Sequence, residues 1–216
     1  KNSYLENSLS QSIIIYGEKG IGKATFVRYL TIQIFNKFQN LPEKNTKSNH
    51  INLLNSNAHP NYMFIDKEVD EKSKKQRNYI VIDQIRDLES FIYQTSIYSD
   101  LPKIILIDNA DQLNKNSANA LLKILEEPKK NTYFFLISHQ LSHLIPTIRS
   151  RCIKFKLEKP SFENFAKIIN NNKEDIIESD INFLYDLSYG SPGLALEYYT
   201  EDFQNTFKSI VSIFKE

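Results

Sequence analysis

The run Gly17-Glu18-Lys19-Gly20-Ile21-Gly22-Lys23-Ala24-Thr25 holds three of the chain's five glycines. It has the spacing G-x-x-x-x-G-K of a phosphate-binding loop, with alanine where Ser or Thr follows the lysine. In such a loop successive backbone N–H groups wrap phosphate oxygens, and the helix that follows adds the positive end of its dipole. Lys23 would reach the outer phosphates as a point charge. The hydroxyl missing at Ala24 is the one that normally holds Mg²⁺. Thr25 is no substitute, because one residue further on is about 100° round a helix. Metal binding is expected to be weakened or indirect.

The flanks fit a loop of this kind. Residues 12–16 are a short apolar run ending at Gly17, as a buried parallel strand would. Val27, Leu30, Ile34 and Phe38 then recur at helical spacing, so Lys23 opens a helix. Residues 39–58, rich in Asn, Lys and Ser, read as a loop. Strands are expected over 62–66 and 79–82 with a solvated hairpin between them, and Asp83 is the expected cap of a helix carrying Ile85, Leu88 and Ile92.

Residues 104–107 form a continuous apolar run ending in Asp108. Ala118, Leu121, Leu122 and Leu125 mark a helix that stops before Pro128. Further strands are expected over 133–138 and 152–157. Strands alternating with helices predict an α/β fold, a parallel sheet covered by helices on both faces.

From Pro160 only helical spacing remains: Phe162, Phe165, Ala166 and Ile169, then Ile181, Leu184 and Leu187. Ser191-Pro192 caps a further helix, and Phe203, Phe207, Ile210, Val211 and Phe214 mark the last. The predicted division is a nucleotide-binding-type domain over 1–159 and a small helical lid over 160–216.

Composition narrows the possibilities. With 14 Phe and 12 Tyr in 216 residues the chain can bury a sizeable core. A formal charge of +1 gives no broad basic field, so any nucleic-acid contact is local or shared with partners. The single cysteine, Cys152, excludes an intrachain disulfide and a multi-cysteine zinc site. No apolar run approaches the roughly 18–20 residues needed to span a bilayer, and no signal peptide is visible. These features lead us to expect a soluble cytoplasmic protein with no membrane partner. The first residue is not methionine, which suggests a trimmed N-terminus.

Two further stretches could carry chemistry. Ile104-Ile105-Leu106-Ile107-Asp108 is an apolar strand ending in a carboxylate, the partner motif of the phosphate loop. Hydrolysing relatives of this type follow it with a glutamate that polarises water. Here Asn109 follows, and an amide cannot accept the proton, a loss of typically about 10²–10⁴-fold. In Ile148-Arg149-Ser150-Arg151-Cys152 an arginine at a domain edge could act as a finger on a neighbour's γ-phosphate, worth roughly 10³–10⁵ in rate. The same residue also reads as an ordinary surface arginine in an ion pair.

Taken in order, these motifs carry a resemblance. The phosphate loop, Asp108-Asn109-Ala110-Asp111, the stretch from Asn116 through Leu121-Leu122-Lys123-Ile124-Leu125-Glu126-Glu127-Pro128, Ser150-Arg151-Cys152 and Gly190-Ser191-Pro192-Gly193 resemble the AAA+ subunits of the bacterial sliding-clamp loader. The likeness runs from about Ser12 to Tyr199. It implies that Ser150-Arg151-Cys152 carries the trans-acting finger, with Arg151 facing ATP on an adjacent motor subunit. It also implies that Ser138 is the first sensor and that ATP or ADP is the nucleotide. The implied partners are motor and delta subunits and, through the assembled complex, the sliding clamp and primer-template DNA.

The chain departs from the family pattern at Ala24, at Asn109 and at Leu194, where hydrolysing members carry arginine. It also lacks the four cysteines that many relatives place before the equivalent of His59-Pro60. No zinc is expected, and Mg²⁺ is disfavoured. A collar domain would be expected beyond residue 216. The alternatives are an active AAA+ ATPase using a displaced acid such as Asp111, and a P-loop kinase. The kinase reading suffers from a chain with only five arginines.

Overall fold

The computed structural model describes residues 10–38, 47–70, 74–96, 98–173, 176–200, 203 and 206. The chain forms two compact units, residues 1–16 with 23–156, and residues 17–22 with 157–216.

The first unit is built on five parallel strands in the order β2-β3-β4-β1-β5. The strands are β1 (Ser12–Tyr16), β2 (Tyr62–Ile65), β3 (Lys103–Ile107), β4 (Thr132–Ser138) and β5 (Ile153–Lys156). In β3, Ile104 through Ile107 are all wholly buried, as strands covered on both faces must be. Burying one such side chain is worth about 2–3 kcal/mol. Tyr16 pairs with Ser138, Leu136 with Ile107 and Ile107 with Ile65. That register brings the residues after β2 and β3 and the end of β4 to one edge of the sheet, where ligands of open α/β sheets are found.

Helix α1 (Lys23–Phe38) turns Val27, Thr31, Ile34 and Phe35 inward, and Phe26 stacks on Phe155 of β5. A helix occupies part of the stretch expected as loop: α2 (Lys47–Asn55). Among its described side chains the buried ones are His50 and Leu54, which make no apolar period. His50 compensates through rings, lying against Phe35, His59 and Tyr98. His59 Nδ1 accepts from the Asn61 N–H at 3.0 Å, so its own proton sits on Nε2, 2.9 Å from His50 Nδ1. Burial lowers the pKa of both rings, that of His59 to about 4 with help from His50.

The strand expected over 79–82 is a single parallel bridge between Ile80 and Leu113. Helix α3 (Ile82–Tyr93) begins at once, so Asp83 lies in its first turn and Val81 is the N-cap. Gln84 Oε1 supplies the cap by accepting the Val81 N–H at 3.1 Å. The hairpin between Glu68 and Arg77 is closed by a bridge from Val69 to Gln76. Helix α4 (Lys115–Glu126) is capped by Asn114, whose side chain accepts from the N–H groups of Asn116 and Ser117. It ends before Pro128 and packs near α5 (Pro146–Arg151), which begins at a proline.

The second unit contains α6 (Phe162–Asn172), α7 (Glu178–Leu187) and α8 (Pro192–Tyr198). Phe165, Ile169, Ile181, Leu184 and Ala195 form its own small core. Of the side chains expected to mark a last helix, Phe203 is helical and Phe207, Ile210, Val211 and Phe214 lie outside the described residues.

Candidate functional site

Lys23 is the first residue of α1 and is buried. Ala24 is half-buried and Thr25 exposed. On the edge of the sheet Asp108 follows β3. Its Oδ1 accepts from the Asn109 N–H at 2.8 Å. Burial raises the pKa of this carboxyl, the Asn109 N–H and Lys23 oppose the rise, and Asp66 and Asp111 add to it. Lys23 is therefore electrostatically coupled to the carboxylate of the partner motif.

Asn109 has left-handed backbone angles, φ 54° and ψ 44°. Its amide nitrogen donates to Asp66 Oδ1 at 2.8 Å. No carboxylate base is offered at 109, and the amide nitrogen of the side chain is engaged by a neighbouring carboxylate. Ser138 is wholly buried at the end of β4, and its hydroxyl donates to the Gln140 carbonyl at 2.9 Å. Among the described residues, no group of three or more His, Cys, Asp or Glu is placed to hold a metal ion.

The glycine loop belongs to the second unit and is held there. The Ser191 hydroxyl donates to the Lys19 carbonyl and the Gly193 N–H to the Gly20 carbonyl, both at 2.8 Å. Ser191 thus stands at the N-cap of α8 yet spends its hydroxyl on the loop. Gly20 has φ +77°, and a Cβ there would lie 2.5 Å from Ser191 Oγ and 2.8 Å from the Leu194 nitrogen. A Cβ on Gly193 would lie 2.7 Å from the Gly20 carbonyl oxygen. Leu194 therefore packs against the loop with an apolar side chain.

Glu18 and Lys19 pair at long range with Lys159 and Glu197, all well exposed, and such pairs contribute little. Ile21 is buried. Nothing among the described residues crowds Gly22. Both latch bonds use loop carbonyls, whereas phosphate is recognised by N–H donors, so the two functions draw on different atoms.

Arg151 ends α5. Its Nη2 meets Glu126 Oε1 at 2.5 Å, and Nη1 donates to the Thr147 carbonyl at 3.1 Å. The Ser150 hydroxyl bonds back to the same carbonyl at 2.9 Å. The Arg151 side chain remains 34% exposed, and its five N–H donors exceed the two bonds made. Reasoning from the sequence missed two of these partners, Asp66 and Glu126. Asp66 had a signal, since it ends an apolar run just as Asp108 does. Glu126 had none beyond its place in the helix.

No helix among the described residues is long and apolar enough to cross a membrane. The model of the family "DNA polymerase III, delta subunit" matches residues 1–161. The DNA polymerase III subunit delta' of Pseudomonas aeruginosa is 34% identical over 85% of this chain and 54% of its own length. The subunit delta' of Buchnera aphidicola (subsp. Baizongia pistaciae) is 29% identical over 97% of this chain and 63% of its own. The chain thus spans little more than half the length of these relatives. Among solved structures, a DNA polymerase III gamma subunit-related protein from Thermotoga maritima superposes with a TM-score of 0.56. It is 21% identical over 91% of this chain and 56% of that one, and the two share a fold. With its phosphate loop, its Asp108 and its Ser150-Arg151-Cys152 on that fold, and with residues 1–161 matched, this chain belongs to the DNA polymerase III delta-subunit family.

Proposed function

We propose that the chain is a delta'-type stator subunit of a sliding-clamp loader in cytoplasmic DNA replication, one that hydrolyses ATP poorly or not at all. It keeps a nucleotide seat and lends Arg151 to ATP held by a neighbouring motor subunit. The observation that carries this reading is the fate of Asn109. It is a residue that cannot act as a base, bonded to Asp66 at the position where hydrolysis requires one. Ala24, which lacks the hydroxyl that would hold Mg²⁺, and the apolar Leu194, where hydrolysing members carry arginine, support it. Arg151 supports the second half of the proposal, as a surface guanidinium with donors to spare.

ATP or ADP is the ligand a loop of this spacing takes. The backbone N–H groups of Gly20 through Lys23 and the Lys23 ammonium would hold its phosphates, and Mg²⁺ would add little. The partners on this reading are motor and delta subunits, with the clamp and primer-template DNA reached through the assembly.

Titration of the isolated chain with ATP and ADP, with and without Mg²⁺, tests the seat. Micromolar binding that changes less than about tenfold with the metal is expected, without hydrolysis above background. Steady-state hydrolysis abolished by Lys23→Ala would make the chain a motor instead. Phosphoryl transfer to a small acceptor would make it a kinase.

A further inference from the structure

Arg151 is anchored from two helices. Its Nη2 meets Glu126 Oε1 at 2.5 Å, and its Nη1 donates to the Thr147 carbonyl at 3.1 Å. Glu126 is the last residue of α4, and Thr147 lies in the first turn of α5. Prolines fix both elements there, Pro128 just beyond the end of α4 and Pro146 at the start of α5. A long, unbranched arginine side chain otherwise samples many rotamers. Two anchors remove much of that freedom before any neighbour arrives. They take one donor from each terminal nitrogen and leave three of the five side-chain N–H groups uncommitted.

The pair lies at the surface, the Arg151 side chain 34% and the Glu126 side chain 48% exposed. An ion pair this open adds little to stability, so its consequence is placement rather than folding. We infer that Glu126 is the positioning residue for Arg151, holding the guanidinium at the end of α5 with donors left for a phosphate oxygen. Glu126 touches no nucleotide and acts only through Arg151. An ionised acceptor suits the task, because charge-assisted hydrogen bonds are the stronger ones. The inference rests on the proposal that Arg151 reaches ATP on a neighbouring subunit, and it names what presets the side chain for that role.

The test is a double-variant cycle in a reconstituted loader, with clamp- and DNA-stimulated ATPase as the readout. Glu126→Gln and Glu126→Ala are each combined with native Arg151 and with Arg151→Ala. With Arg151 in place, Glu126→Gln should lower kcat about two- to tenfold and Glu126→Ala about tenfold or more. KM for ATP should stay within about twofold. In the Arg151→Ala background neither change should lower the rate further. Tm of the chain should move by less than about 2 °C, and the near-isosteric glutamine carries the cycle should alanine disturb α4. Equal losses in both backgrounds, or no loss or a gain with Arg151 in place, would overturn the inference. Failure of the finger proposal reads differently: Arg151→Ala would itself leave the rate unchanged, and the inference would fall with it.

Discussion

The carboxylate edge of the sheet and the end of α5 lie in the same unit and treat their polar side chains in opposite ways. At the edge, Asn109 bonds to Asp66 and to Asp108, and Ser138 bonds to the carbonyl of Gln140. Those bonds are made within the edge itself. At the end of α5, Arg151 is steadied by Glu126 and the Thr147 carbonyl yet keeps donors at the surface. A buried polar group left unpaired costs about 1–3 kcal/mol, so a site released from turnover, as proposed for this one, would gain by closing on itself. A site that serves a neighbour cannot close in this way.

The contrast can be broken at several points. The largest effect should follow Arg151→Ala in a reconstituted loader, where ATPase stimulated by clamp and DNA should fall by about 10³-fold or more at the dependent motor site. An unchanged rate would return Arg151 to the status of a surface ion-pair residue. Glu126→Gln should lower the same rate by only about two- to tenfold, since it frees the guanidinium without removing it. A fall as deep as that of Arg151→Ala would mean that Glu126 itself touches the reacting groups.

The loop offers a structural counterpart. Gly193→Ala drives a methyl group against the Gly20 carbonyl, and overpacking of this kind costs about 1–3 kcal/mol. A fall in Tm of about 3–8 °C is expected, with faster amide exchange across Gly17–Gly22. Exchange in the loop unaltered by the substitution would show that the latch does not set its conformation.

The smallest effect concerns the buried histidines. The pKa of His59 is about 4 in the fold and about 6.5 unfolded. Below pH 6.5 the unfolded chain binds the proton more readily, so stability present above that pH is lost as pH falls towards 4. Tm should drop by about 3–5 °C between pH 7 and pH 5.5, and His59→Asn should flatten that part of the curve. An identical slope in the variant would locate the acid sensitivity elsewhere.

The inner strands of the sheet were legible because they are largely apolar on both faces, and the runs at 12–16, 104–107 and 133–138 announce themselves without help from context. Helix α2 was not, because His50 replaces an apolar residue and gains its burial from rings contributed by Phe35, His59 and Tyr98. Ile80 looked like part of a strand and is one bridge, since α3 starts two residues later.

At the site, Lys23 and Asp108 were expected from the spacing of their motifs, and Arg151 only from the family resemblance. Their partners were not. Asp66 meets Asn109 across 43 positions and Glu126 meets Arg151 across 25. Strand register and the positions of helix ends decide such pairs, and neither is written in local periodicity. The latch between Ser191, Gly193 and the loop is of the same kind, spanning more than 170 positions of chain.

The most direct test of the account sets Lys23→Ala beside Arg151→Ala in the same reconstituted loader, with clamp- and DNA-stimulated ATPase as the readout. The account predicts that Lys23→Ala leaves the rate within about twofold while Arg151→Ala cuts it by orders of magnitude. A loader crippled by Lys23→Ala and indifferent to Arg151→Ala would contradict it, and would place the chemistry in this chain's own phosphate loop.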